Sequence, residues 1–515
     1  MRRFPSLEYE YRGAPGLDDR RRVMDRWLAR GVYFFLFIFV AAAPHSIAIT
    51  QIAYGAALFL WVLRWALGGV SPVPQSLVWP LLVFLVLSAI SATFSYAPAE
   101  SWFQMKKVAL LLVAVLWSQN LTSTRQVKLF SAVLIVSCLL NVAYTGWQYT
   151  HGIGARLTQI RPGPSLAEKG LQEGDFIEEV GGHQVRNRTQ LLQALADSNI
   201  EPGVRLTVRR VRDAPLEKIR LELNRAALAE LHKEIAAGSV SVTRGYPLRA
   251  QGFYDHYVTY ADVLVQIALL AFGLCVAFPR GEMWTRVLLG LAFLGMAFAL
   301  WLTLTRTAMA SLLLGCLVAV FLAHGWRTRL ATVGLVILAV VVGGLLLGRN
   351  RDLPWLDLES DGVQYRFLMW RDGVRLIRNH PFLGIGMESL KSHWQEWHIK
   401  AYEKFPLHSH FHSSPIQIAV ERGLLTLAAW LWLQVGYLRV LARLLRITAE
   451  RDRHLHGLAL GMTSAACAFL LGSLTDYNWG DSEVVMVFWM FVGCALALER
   501  LLTPMKERAG IAAVG

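Results

Sequence analysis

The chain has 515 residues, of which 55% are hydrophobic and 17% are charged, and its mean hydropathy is +0.40. This balance excludes an ordinary soluble globular protein and predicts a polytopic membrane protein. The formal net charge of +14 would suggest nucleic-acid binding in a soluble protein. Here basic residues in short cytoplasmic loops explain much of it, so we expect no nucleic-acid partner.

The two ends and the cysteines add to this picture. Residues 1–30 carry charges of both signs and precede the first apolar run, which indicates a cytoplasmic tail before a retained span. All five cysteines lie in apolar segments. We therefore expect neither a structural disulfide nor a cysteine-ligated metal site.

Twelve apolar runs are long enough to cross a membrane. They fall near 31–50, 52–68, 77–95, 105–119, 128–148, 257–278, 286–304, 307–324, 329–348, 424–445, 456–474 and 483–500. Twelve spans place both ends on one side, and the short loops rich in Arg and Lys fall on that same side, which is therefore cytoplasmic.

The predicted fold is an all-α polytopic membrane protein of about 12 transmembrane helices with a small α/β insert. In chain order it comprises a cytoplasmic tail (1–30), spans 1–5 (31–148), the insert (155–226), spans 6–9 (257–348), an outer catalytic loop (349–423), spans 10–12 (424–500) and a second cytoplasmic tail (501–515). Both long polar segments, about 149–256 and 349–423, then face the outside.

The insert has its own signature. Short alternating strands surround a turn at Gly174 and Asp175, a hairpin signal at Gly181 and Gly182, and a helix at about 188–197. The run EKGLQEGDFIEEVGGHQV resembles a PDZ domain of the bacterial periplasmic type, which would bind an extended peptide at a sheet edge. The segment 151–154 matches the carboxylate-binding loop poorly, so a peptide-binding module and a spacer both remain open.

The stretch HSHFHSSPIQIAVERG, residues 408–423, carries three histidines before a helix start. Ser414, Pro415 and Gln417 predict an N-cap, a first-turn proline and a capping-box partner. The partial positive charge of a helix N-terminus disfavours imidazolium, so His412 would be an available proton acceptor. The alternative is a set of solvated loop histidines without a role.

Two arginines occupy unexpected positions. Arg306 is the only charge between Val287 and Leu322, and an ionisable residue at membrane depth indicates function unless it extends to the outer headgroups. Arg366 shares a helix face with Trp370 rather than with Arg371. A guanidinium there would bind phosphate or form a salt bridge with one of the nearby acidic residues, Asp357, Glu359 and Asp361.

Three more cations are predicted on the outer face near the membrane. Arg249 precedes the sixth span, and Lys106 and Lys107 open the fourth. Basic residues at span ends usually anchor the span at the interface. Their common side with His412 nevertheless suits an anionic, lipid-linked substrate.

These residues carry a resemblance. The TxTR element at Arg306, the Arg366 helix ending in NHPFLGIG, and an H-[NS]-x-x-[LI]-x(4)-E-x-G pattern met by His412, Ser413, Ile416, Glu421 and Gly423 resemble the O-antigen ligase and O-antigen polymerase superfamily. The chain departs from the family in having Ser413 where Asn is usual and in carrying the PDZ-like insert.

The resemblance implies an inverting, metal-independent glycosyltransferase of the bacterial inner membrane without a cofactor. It would move a glycan from undecaprenyl pyrophosphate to an acceptor hydroxyl, such as lipid A core, at the periplasmic face. By position in the motifs, His412 would be the general base, Arg306 and Arg366 would bind the pyrophosphate, and Arg249 would support them. Lys106, Lys107, His408 and His410 would be secondary site residues.

Three other functions remain open at this point. A polymerase of O-antigen or exopolysaccharide would use the same donor. Zinc bound by His408, His410 and His412, which would share one face of an extended segment, would imply metal catalysis, but no fixed carboxylate or cysteine completes that site. A PDZ-bearing membrane scaffold would explain the insert but not the arginines.

Overall fold

The computed structural model describes residues 19–70, 75–160, 170–197, 204–210, 217–246, 249–279, 281–325, 327, 361–405 and 410–503. They divide into two compact units. The first holds residues up to Leu139, Val258–Trp301 and those from Thr305 onward, and the second holds Leu140–Tyr257 and Leu302–Leu304.

The helices before the insert are separated by short breaks. They are α1 (Asp19–Ala42), α2 (Ile47–Ala66), α3 (Gln75–Thr93), α4 (Pro98–Val108), α5 (Leu112–Asn120) and α6 (Thr124–His151). The first break, after Ala42, includes Pro44 and precedes the predicted boundary near residue 51. The predicted fourth span is divided, because a 3-10 turn at Ala109–Leu111 joins α4 to α5.

The insert is a mixed unit. It contains β1 (Gly154–Ile160), β2 (Phe176–Val180), β3 (His183–Gln184), α7 (Arg188–Asp197), β4 (Val204–Arg210), β5 (Glu217–Leu223), α8 (Arg225–Ala236) and β6 (Val240–Gly245).

The sheet of the insert is antiparallel, with strand order β5-β4-β2-β1-β6 and β3 paired to β2. The predicted helix at 188–197 and the β2–β3 hairpin through Gly181 and Gly182 are confirmed. The sheet continues past residue 226, because β6 pairs with β1 from Gly154↔Gly245 to Ile160↔Val240. Both edges of β1 are therefore paired within the unit, and among the described strands β5 and β6 lie at the two ends of this order.

The helices after the insert complete the described fold. They are α9 (Tyr257–Ala277), α10 (Met283–Leu302), α11 (Arg306–Ala323), α12 (Asp361–Asn379), α13 (Ser389–His393), α14 (Lys400–Lys404), α15 (Ser414–Thr448), α16 (Arg453–Thr475) and α17 (Ser482–Leu502). A second 3-10 turn, Asn478–Gly480, lies between α16 and α17.

Nine of the described helices are long and apolar enough to cross a membrane. They are α2, α3, α6, α9, α10, α11, α15, α16 and α17. The predicted span at 329–348 lies outside the described residues. The chain is thus mostly helical with several candidate membrane spans and one small sheet, as the sequence predicts.

Close backbone contact fixes α16 against α9. A Cβ atom added to Gly273 of α9 would lie 2.3 Å from the backbone nitrogen of Gly461 in α16. Small residues permit such contact between apolar helices. Lipid is as apolar as these helices, so close packing rather than the hydrophobic effect holds them together in a membrane. This packing holds α16, whose C-terminal end leads into the candidate site.

Candidate active site around His412

The helix that follows the histidines begins at Ser414, and its N-cap is Ser413 rather than the predicted Ser414. Ser413 makes no side-chain cap bond, whereas Pro415 occupies the first turn as predicted. The side chain of Gln417 does not close a capping box. Its Oε1 accepts the backbone amide of Phe411 at 2.8 Å, and its Nε2 donates to Glu421 at 2.8 Å. Gln417 therefore fixes the histidine segment instead of the cap.

Ser414 connects the helix start to a second loop. Its backbone amide donates to the carbonyl of Asp476 at 3.1 Å. Its hydroxyl lies 2.9 Å from Oδ1 of Asn478 and accepts the amide of Trp479 at 3.3 Å. This is why the prediction of a capping Ser414 is wrong: its side chain bonds to the loop between α16 and α17.

A kink in α15 explains why the pattern over residues 412–423 ends in glycine and how it meets the segment NHPFLGIG. Gly423 has φ 81° and ψ 170°, and a Cβ added there would lie 1.9 Å from the carbonyl oxygen of Phe382. The kink frees backbone groups that pair with the segment NHPFLGIG. Ile385 donates to Val420 O at 2.9 Å, Gly386 to Glu421 O at 2.8 Å, and Leu424 to Pro381 O at 2.7 Å. Backbone hydrogen bonds thus join the two motifs where they cross.

His412 has an unusual backbone and an acidic neighbour. Its φ is 48°, in the left-handed region that non-glycine residues rarely adopt. Its Nδ1 is buried, lies 3.8 Å from Oδ1 of Asp476 and makes no hydrogen bond within the described residues. The side chains of His412 and Asp476 are 21% and 18% exposed, so the pair reaches solvent only in part.

Asp476 follows α16 directly and was not singled out from the sequence. Burial acts to raise its pKa, but the neighbouring side chains of His412 and His410 and the backbone amide of Tyr477, which donates to Oδ1 at 2.7 Å, outweigh burial, so the pKa of Asp476 lies below its ordinary value. A carboxylate held ionised beside an imidazole orients the ring and stabilises the imidazolium formed on proton uptake. In the sequence, the only sign of this residue is an acidic side chain directly after an apolar run, in LTDYNWG.

The helix α12 brings Arg366 into the same unit as His412. Tyr365, its neighbour, has its ring centroid 5.8 Å from that of His412, and Trp370, one turn later, donates its indole N–H to Phe411 O at 2.9 Å. A Cβ added to Gly373 would meet Ile416 at 2.7 Å. Arg366 is half-buried, and no ion pair of its side chain is found among the described residues. Of the three acidic residues predicted as alternative partners, Asp357 and Glu359 lie outside the described residues and Asp361 has no described side chain.

Three further arginines of α12 differ in their exposure. Arg371 and Arg378 are exposed, but Arg375 is half-buried. It donates to the carbonyls of Trp397 and His398 at 2.7 and 2.9 Å and pairs with Asp372 at 3.2 Å. Arg375 therefore fixes α12 to the loop after α13.

Arg306 opens α11 and is exposed. Five residues later, Ser311 Oγ lies 3.3 Å from the position of a Cβ on Gly472, and Gly472 O accepts the amide of Asp476 at 3.0 Å. The first turns of α11 therefore pack beside the end of α16 that leads into Asp476.

No contact with His412 is described for Lys106 or Lys107. Arg249 belongs to the unit of the insert, where its guanidinium carbon lies 4.4 Å from the ring centroid of Tyr257. Lys106 lies over Phe103 of its own helix, 3.5 Å from the ring centroid, and Lys107 is half-buried. His408 lies outside the described residues.

His410, His412 and Asp476 offer ligand atoms within 4.8 Å of one another, close enough to hold a metal ion. However, Nδ1 of His410 accepts the backbone amide of His412 at 3.1 Å. A neutral imidazole has one lone-pair nitrogen, so His410 would have to break this bond to bind a metal. The described arrangement suits acid–base chemistry better than metal ligation.

Comparison with known proteins identifies a family match within the chain. A search of curated proteins finds no match to the chain. A family model, Wzy_C, described as O-antigen ligase, matches residues 291–431. That range contains Arg306, Arg366 and His412. The chain thus contains a segment of the O-antigen ligase family, and this match supports a membrane glycosyltransferase-like role in processing O-antigen or a related polysaccharide.

Proposed function

We propose that the protein transfers a glycan from a polyprenyl pyrophosphate, such as undecaprenyl pyrophosphate, to an acceptor hydroxyl at the periplasmic face of the bacterial inner membrane. The observation that carries the proposal is the pairing of His412 with Asp476, because a half-buried imidazole beside an ionised carboxylate is suited to accept a hydroxyl proton.

The mechanism is a single displacement with inversion. Nε2 of His412, the nitrogen on the side away from Asp476, takes the proton of the acceptor hydroxyl. The acceptor oxygen then forms a bond to the anomeric carbon, and the bond from that carbon to the pyrophosphate oxygen breaks. The electron pair leaves on the lipid pyrophosphate, and the proton stays on His412. General base assistance of this kind typically contributes about 10²–10⁴-fold.

The arginines act on the leaving group. Negative charge on the pyrophosphate increases as the glycosidic bond breaks, so guanidinium groups placed there stabilise the transition state more than the ground state. Arg306 and Arg366 would take this role, with Arg249, Lys106 and Lys107 as secondary contacts to the donor. The insert, which we interpret as PDZ-like, would bind a peptide or act as a spacer.

A donor with a labelled glycan, reconstituted with the purified protein and candidate acceptors including lipid A core, tests the proposal. Transfer of one glycan block to an acceptor with release of polyprenyl pyrophosphate is expected for a ligase. A ladder of products would indicate a polymerase. If no acceptor led to consumption of the donor, the result would contradict the proposal and favour a membrane scaffold.

A further inference from the structure

The backbone of His412 is held by a side chain two residues earlier. Nδ1 of His410 accepts the amide of His412 at 3.1 Å. Asn and Asp side chains make the same bond to the amide two residues ahead, and it stabilises turns in the same way as a backbone bond. His410 therefore closes a local turn around Phe411.

This turn matters because His412 has a φ of 48°. A residue with a Cβ seldom adopts that region unless surrounding bonds hold it there. On the other side of the turn, Gln417 accepts the amide of Phe411 and Trp370 donates to its carbonyl. Phe411 is thus held at both backbone groups, and the bond to His410 holds the next amide, that of His412.

The ring of His410 is itself located by its neighbours. Its centroid lies 4.3 Å from that of His412 and 5.4 Å from that of Tyr477. Burial raises the pKa of Tyr477, which stays an uncharged aromatic surface for His410. The loop that supplies Asp476 therefore also supports the histidine that sets the backbone of His412.

We propose that His410 is a positioning residue: its Nδ1 hydrogen bond fixes the left-handed backbone of His412 and so aims the imidazole between Asp476 and the acceptor. The inference rests on the proposed role of His412 as the base. It assigns to His410 a function as a hydrogen-bond acceptor, which does not require an imidazole as such.

Two substitutions separate this role from a general effect on folding. His410→Asn keeps an acceptor that can bond the amide two residues ahead, and His410→Ala removes it. Because small misplacements of a catalytic group can cost about 10²-fold, we expect His410→Ala to lower kcat by roughly 10- to 100-fold with little change in KM for donor, and His410→Asn to retain most of kcat. His398→Asn is the control, since His398 is exposed and also has a positive φ, 44°.

Hydrogen exchange tests the bond without reference to activity. Mass spectrometry of the peptide that spans residues 410–417 should show protection of the His412 amide in the wild type and in His410→Asn, and faster exchange in His410→Ala. An active His410→Ala variant, or a His410→Asn variant as impaired as His410→Ala, would overturn the proposal. If His412→Ala itself retained activity, the base assignment would fail, whatever the exchange data showed about His410.

Discussion

Replacing Asp476 by Asn isolates the charge that the structure places beside His412. The Asp carboxylate and the Asn amide are nearly isosteric. An Asn side chain also retains the oxygen that accepts the backbone amide of Tyr477 at 2.7 Å. The backbone bond from Ser414 to the carbonyl of residue 476 is untouched. The variant should therefore fold and insert normally while losing the carboxylate.

The magnitude follows from the distance of 3.8 Å between Nδ1 of His412 and Oδ1 of Asp476. Two unit charges at that distance interact by about 4 kcal/mol at an effective dielectric constant of about 20 and by about 1 kcal/mol in water. Because the imidazolium forms only as the reaction proceeds, the loss should appear in kcat, by between about 10- and 10³-fold, with KM for donor little changed.

The assay is the steady-state rate of glycan transfer in proteoliposomes, with Asp481→Asn as the control. Asp481 caps α17 through the amides of Glu483 and Val484, and Asn is an equally good cap, so this variant should match the wild type. Because the pKa of Asp476 lies below its ordinary value, its carboxylate is ionised at the neutral pH of the assay. An Asp476→Asn enzyme with wild-type kcat, or an equal loss in both variants, would refute the reasoning.

Three further predictions follow from the site and its support. Arg366→Ala should lower kcat/KM for the donor by about 10- to 100-fold, since a charged hydrogen bond contributes roughly 1.5–3 kcal/mol, whereas the exposed Arg371→Ala should not; equal donor kinetics would contradict a phosphate contact. Gly423→Ala should lower the midpoint of thermal unfolding in detergent, because a Cβ there meets a backbone oxygen at 1.9 Å, whereas Gly55→Ala, with nothing within 4 Å, should not. Dialysis against a strong chelator should leave the transfer rate unchanged, and a loss restored by one added metal would favour metal chemistry at His410, His412 and Asp476.

Patterns local in sequence predicted much of the fold. The apolar runs, the helix at 188–197 and the hairpin through Gly181 and Gly182 depend on neighbours a few residues apart. The breaks within the first apolar runs were harder, because the break at 43–46 and the 3-10 turn at Ala109–Leu111 are short and lie inside runs that are apolar over their length. The extent of the sheet was also missed, since β6 pairs with a strand about 80 residues earlier, and no local pattern indicates that partner.

The site shows the same division. His412 could be predicted from the sequence, because it stands next to a helix start and within a recognisable motif. Asp476 was not, because it meets His412 only through the packing of α15 beside α16. The N-cap was predicted one residue too late, because Ser414 bonds to the loop at Asp476, Asn478 and Trp479. A local sequence pattern does not indicate a partner 62 residues away.

The role of His412 as the base is tested most directly by the transfer rate of His412→Ala in proteoliposomes that contain a lipid-pyrophosphate glycan and an acceptor. We expect normal protein level and membrane insertion with transfer lowered by at least about 10²-fold, because the variant lacks the proposed general base. Wild-type transfer by this variant would contradict the assignment of His412 as the base.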